Sequence, residues 1–170
     1  MKKIKFLLFL FINGFIAYYY YPEPKLPNGA KIDSIVVFKS KRQLLAYSKG
    51  NLLKKYKIAL GRQPVGAKQF EGDRKTPEGI YFINDKNPNS GWHKNLGISY
   101  PNQNDIENAI AQGKTAGGNI KIHGLQNGKG YIGKFHRFKD WTLGCIALTN
   151  EEVDELYNAV IIGAEIKIYH

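Results

Sequence analysis

The sequence predicts a mainly β protein with two or three helices, its strands forming a sandwich or barrel-like sheet in one exported domain. Three observations lead there. Short runs rich in β-branched and aromatic residues recur between turn residues. Only two stretches after the N-terminus carry apolar residues at helical spacing. The first residues, "MKKIKFLLFLFINGFIAYYYYPEP", read as a charged head, an apolar run and a proline stop instead of part of a core. A length of 170 residues suits one such domain.

Residues 1–21 come first. Lys2, Lys3 and Lys5 precede an apolar run from Phe6 to Ala17, the pattern of a secretory signal. No small-x-small cleavage site follows, and Tyr18 to Tyr21 stand in its place. Tyrosines favour a membrane–water boundary and lysines the cytoplasmic side, so an uncleaved N-terminal anchor is favoured over a cleaved peptide. The run is short for a full span. Everything after Tyr21 is then expected in the periplasm, held at the inner membrane, or secreted if the segment is cut. Residues 22–31, "PEPKLPNGAK", read as an extended, proline-stiffened tether.

The domain at 32–170 opens with the strand "IDSIVVFKS". "RQLLAYSKGNLLKKYKIAL" follows as a hairpin, turning at "SKGN" where Gly50 can take positive φ. "GIYFIN", "LGISY", "NIKIHG" and, near the C-terminus, "AEIKIY" are further strands. "NDIENAIAQG" predicts a helix packing Ile106, Ala109 and Ile110 inward and stopping at Gly113. "TNEEVDELYNAVIIG" predicts a second, with a Thr149–Glu152 capping box, a stripe of Val153, Leu156, Tyr157 and Val160, and Gly163 as its end.

Formal charge is +11, with 25 basic residues against 14 acidic ones. Without the three N-terminal lysines the exported part still carries +8, which suits anionic partners such as wall polymer or lipid headgroups. The basic residues are scattered and the compartment is wrong for nucleic acid, so no nucleic-acid partner is expected.

The chain has one cysteine, Cys145, in "DWTLGCIALT". An unpaired cysteine in an exported protein is an inert core residue, a link to another molecule or a reactive thiol. Gly144 before it permits a sharp turn that can aim backbone amides at one point, as an oxyanion requires. A cysteine nucleophile also needs a base or a positive neighbour. His123, at a strand end before Gly124, is a rigid mount for such a base, its second nitrogen free to bond a carbonyl such as that of Gly124. His136, beside Arg137, is a second candidate or a substrate-side residue. His93 reads as loop, and His170 is terminal. A zinc site from His123, His136 and Cys145 fits no familiar spacing. No nucleophile-elbow sequence supports a serine triad.

"IHG" followed by "TLGCIAL" resembles the L,D-transpeptidase (YkuD-like) catalytic domain family, whose signature is His-Gly, a spacer, then Ser/Thr-x-Gly-Cys. "ALGRQPVGAKQFEGDRKTPEGIYFIN" is similar to that family's glycine-rich strand and Thr-Pro-x-Gly turn, here Thr76, Pro77 and Gly79. The likeness covers roughly Ile32 to Ile168, and the sequence is similar to the branch that includes the periplasmic murein enzyme releasing or attaching the outer-membrane lipoprotein. It implies a β-sandwich-like domain performing acyl transfer on peptidoglycan stem peptides, with no cofactor. Cys145 would be nucleophile and His123 base, Gly124 would give the orienting carbonyl, and amides at Gly144 and Cys145 would form the oxyanion hole. Thr142 takes the Ser/Thr position. Attack would fall on the L-centre of the third stem residue and expel terminal D-alanine. A stem or lipoprotein amine would resolve the thioester. Water would do so in a carboxypeptidase or amidase. The resemblance also implies acylation by carbapenems.

Two features depart from the family pattern. Ala147 stands where many members have arginine, and Arg137 or Lys139 is the candidate replacement to meet a substrate carboxylate. The insert "QNGKGYIGKFHRFKD" between His123 and Cys145 is long, and its glycines suggest a mobile flap or a surface loop. The rival readings are a thiol hydrolase, a zinc hydrolase and a non-catalytic wall-binding module.

Overall fold

The computed structural model describes residues 2–170, with Met1 and the Lys2 side chain outside the described set. Its strands are β1 (Ile32–Phe38), β2 (Gln43–Ser48), β3 (Asn51–Lys57), β4 (Gly79–Ser90), β5 (His93–Ile98), β6 (Lys121–His123), β7 (Ile146–Ala147) and β8 (Val160–Tyr169). The α-helices are α1 (Lys2–Tyr20), α2 (Gln103–Ile110) and α3 (Asn150–Ala159), and a 3-10 segment runs from Gly130 to Phe138. The mainly β expectation holds.

All eight strands belong to one sheet, in the order β3-β2-β1-β8-β4-β5-β6-β7. The long strand β4 joins its two leaves, pairing with β8 through Gly79–Phe82 and with β5 from Ile83 onward. The sheet curls far enough for the chain after β3 to meet β7 at the opposite edge. Ala59 and Ala147 exchange two backbone hydrogen bonds, of 3.0 and 2.8 Å. Two edges that would expose unpaired backbone groups thereby protect each other. Ile35, Leu44, Tyr56, Ile83, Leu96, Ile122, Ile146 and Ile166 fill the interior, with Val153 and Leu156 of α3 against them.

The β2–β3 turn forms at Lys49 and Gly50, both at positive φ (49° and 80°), between the paired Ser48 and Asn51. That is the backbone twist a two-residue hairpin loop favours. The capping box at α3 is present with both of its hydrogen bonds. Two sequence expectations need correction. Helix α3 ends at Ala159, not Gly163, because Val160, Ile161 and Ile162 continue as strand β8. Gly163, at φ 86°, sits where β8 changes register against β1. In α2 only Ala109 is buried, while Ile106 and Ile110 are exposed.

The N-terminal region and the insert lie together against the domain. Residues 22–31 are extended yet lie against the domain. Leu26 packs on the core and its N–H donates to Glu155 Oε1 (2.6 Å), and Glu23 pairs with Arg137 (2.8 Å). The insert before Cys145 contains the 3-10 segment, kinked at Gly133, which contacts the end of α1. Helix α1 itself is long and apolar enough to cross a membrane, and none of Lys3–Tyr20 is buried.

Candidate active site

The site is assembled where β6 and β7 run parallel, with Ile122 beside Ile146 and His123 beside Ala147. The two isoleucines are fully buried in the core. Side chains alternate across a strand, so His123, Cys145 and Ala147 share the opposite face. Cys145 lies one residue ahead of β7, diagonal to His123.

His123 Nδ1 donates to the Gly124 carbonyl at 2.7 Å, which leaves Nε2 as the acceptor. Gly124 has no space for a side chain, since a Cβ would stand 2.8 Å from Asn150 Oδ1 and 3.0 Å from Val153 Cγ1. Burial lowers the imidazole pKa below its ordinary 6.5, although the carbonyl bond acts against it. Burial also raises the Cys145 thiol above its ordinary 9.0, partly offset by the Lys121 N–H and the charges of Lys121 and Lys68. Both shifts favour a neutral thiol–imidazole pair over a resting ion pair. The thiol is partly exposed and points its Sγ at the Asn119 carbonyl, 3.6 Å away.

The turn before the thiol is built by Thr142 and Gly144. The Thr142 hydroxyl donates to the Cys145 carbonyl (2.7 Å) and accepts the Gly144 N–H (3.2 Å). Thr142 is buried, so its hydroxyl shapes the turn instead of facing a substrate. Gly144 has φ 139°, and a Cβ there would lie 2.8 Å from the Lys75 carbonyl. Its N–H being engaged, it is not an oxyanion donor in this arrangement. Behind it Gly61 packs so closely that a Cβ would stand 2.3 Å from the Arg74 carbonyl, and its N–H donates to the buried Thr76 hydroxyl (3.1 Å). The glycine-rich stretch and the Thr-Pro turn are therefore the backing of the cysteine loop.

The two tryptophans of the chain, passed over in the sequence, flank the imidazole. Trp92 and Trp141 stack at 5.4 Å, and their rings lie 5.2 and 5.6 Å from that of His123. Trp141 stands directly before "TLGC", and that adjacency was the available signal. His136 is buried, accepts from Trp141 Nε1 at 3.5 Å, and has a pKa lowered to about 3 by burial and the neighbouring Arg137. It is neutral and braces Trp141. The expectation of Arg137 as a substrate-carboxylate partner does not fit, because its guanidinium bridges Glu23 (2.8 Å) and Glu152 (2.7 Å) with 5% of the side chain exposed. Ala147 is fully buried between Ala59 and His123 and presents no side chain to a substrate. His93, at the start of β5, pairs with Asp154 at 2.9 Å.

This curled sheet with a cysteine and a strand-end histidine on one face defines a class. Residues 32–168 match the model of the L,D-transpeptidase catalytic domain family (YkuD), and the chain belongs to that family. It is 32% identical over 134 residues to the putative L,D-transpeptidase YafK of Escherichia coli strain K12, covering 74% of this chain and 46% of that protein. Among solved structures it is similar to the helical cell shape determining protein Pgp2 of Campylobacter jejuni, with TM-score 0.61 and 27% identity over 84% of this chain and 49% of the other. Bdellovibrio bacteriovorus Bd1075 shares the fold, with TM-score 0.56 and 21% identity over 84% of this chain and 49% of the other. The chain thus spans about half the length of these relatives.

Proposed function

We propose that this protein is a peptidoglycan L,D-transpeptidase held at the periplasmic face of the inner membrane by α1. Cys145 is the nucleophile and His123 the base. His123 Nε2 takes the thiol proton as Sγ attacks the carbonyl of the L-centre in a stem tetrapeptide. The Cys145 N–H, next to the Gly144 turn, faces the oxyanion. The imidazolium then protonates the departing D-alanine amine, and a thioester remains. An acceptor amine attacks the thioester carbonyl and gives its proton to His123, the C–Sγ bond breaks as the amide forms, and the imidazolium returns that proton to the Cys145 sulfur. The acceptor is an amine of another stem or of an outer-membrane lipoprotein.

The observation that carries this reading is the His123 Nδ1–Gly124 carbonyl bond, which presents Nε2 as acceptor on the face that holds Cys145. Family membership and the likeness to YafK support the substrate class. The test is incubation of the full chain with purified tetrapeptide muropeptides, followed by product mass. Crosslinked dimers are expected. Tripeptide plus free D-alanine alone would make it a carboxypeptidase, and unchanged muropeptides would remove the enzyme reading.

A further inference from the structure

Helix α1 and the 3-10 segment meet through an aromatic cluster. The Phe15 ring lies 5.8 Å from Phe135 and 6.1 Å from Phe138, and Tyr18 stacks on Phe138 at 5.5 Å. Tyr19 contacts Phe135 at 5.2 Å, and its hydroxyl donates to the Tyr131 carbonyl at 2.8 Å. Lys134 Nζ donates to the carbonyls of Tyr18 and Tyr21, placing a cation at the negative end of the helix. The segment before the catalytic cysteine therefore clasps the last turns of α1.

The depth of that clasp matters. Phe15 lies five residues before the helix end, about 7.5 Å along the axis at about 1.5 Å per residue. It falls inside the apolar run that closes at Ala17. A ring in contact with Phe15 shares its level. Phe138 is nonetheless 63% exposed and Tyr131 75% exposed, and the exposed Lys129 and Lys139 flank them. Aromatic rings edged by lysines match the headgroup layer of an anionic membrane surface.

We infer that the 3-10 segment Gly130–Phe138 is a membrane-contact surface, seating Phe138 and Tyr131 at the lipid headgroup level beside α1. The inference rests on α1 being the membrane anchor of the proposed function. Trp141 and Cys145 follow Phe138 closely in the chain, so the site is held near the bilayer and does not range on a free tether. Its stem peptides are then those in the membrane-proximal layer of the wall.

The test uses the full chain carrying Cys145→Ser, reconstituted into nanodiscs of phosphatidylethanolamine and phosphatidylglycerol. Single spin labels are placed through Phe138→Cys, Tyr131→Cys, Phe9→Cys within α1, and Ile110→Cys on the exposed side of α2. Collision with oxygen and with a water-soluble nickel chelate is measured for each. The labels at 138 and 131 should show several-fold less nickel contact than the label at 110, with the label at 9 in the hydrocarbon. A label at 9 in lipid with 138 and 131 as nickel-accessible as 110 would overturn the contact surface alone. A label at 9 exposed to nickel would overturn the anchor, and this inference with it. Phe138 and Tyr131 are exposed, so their replacement leaves the core intact, and two positions guard against one perturbed label.

Discussion

His123 donates from Nδ1 to the carbonyl of its own chain neighbour, Gly124, at 2.7 Å. One backbone oxygen thus sets tautomer and ring orientation together, without a carboxylate. The peptide that carries this carbonyl is in turn held by its Leu125 N–H, which donates to Asn150 Oδ1 at 2.9 Å, while the Gly124 N–H is shared between the Trp92 and Lys94 carbonyls at 3.1 and 3.3 Å. Replacing His123 by Ala should lower kcat for tetrapeptide donors by about 10²–10⁴-fold with the fold unchanged by circular dichroism. His136→Ala should cost about tenfold or less, acting only through the packing of Trp141. If His136→Ala proved the more damaging, the base would be misassigned.

The protonation states predict a pH profile. In the proposed mechanism neutral His123 is the working form, and its pKa is held below 6.5 by burial. Activity is therefore lost only as pH falls through that lowered value, so the acid limb of kcat/KM should lie below pH 6.5. The thiol is raised above 9.0, so the alkaline limb should lie above pH 9.0. A narrow bell between these values would show instead a preformed thiolate–imidazolium pair.

Arg137 and Glu152 form an ion pair with 5% and 6% of their side chains exposed. Removing one partner of such a buried pair leaves an uncompensated charge, which costs about 3–5 kcal/mol. Arg137→Met should accordingly lower stability to urea by about 3 kcal/mol. Among folded molecules KM for the donor should stay near the wild-type value. A large rise in KM with unchanged stability would restore the arginine as a substrate-carboxylate partner.

Gly61 and Gly144 pack back to back behind the cysteine loop, and a Cβ on Gly61 would stand 3.1 Å from the Gly144 Cα as well as 2.3 Å from the Arg74 carbonyl. Backbone atoms cannot yield as a flexible side chain can. Gly61→Ala should cost about 2 kcal/mol or more in thermal unfolding and displace the thiol enough to slow acylation. A variant with wild-type melting temperature and rate would show that the loop does not depend on this contact.

Local patterns in the sequence located much of this architecture. The hairpin was legible because "SKGN" puts a glycine between two alternating runs, and the start of α3 because Thr149 and Glu152 stand at capping distance. The end of α3 was not, since Val160–Ile162 fits a helical stripe and a strand equally well and pairing with β1 decides it. Cys145 and His123 were singled out from the lone thiol and the strand-end His-Gly, motif resemblance gave them their expected roles, and the parallel strands place both on one face. Trp92 could not be placed, because it reaches the imidazole only through the β4–β5 hairpin. The partners of Arg137 escaped for the same reason, as Glu23 lies 114 residues away in the chain.

The most direct test of the central claim is intact-mass spectrometry of the full chain after exposure to a carbapenem, followed by peptide mapping. The account predicts one covalent adduct of the drug's mass on the peptide containing Cys145, absent in Cys145→Ala and slow to form in His123→Ala. No adduct on the wild-type chain, or one that persists in Cys145→Ala, would contradict it.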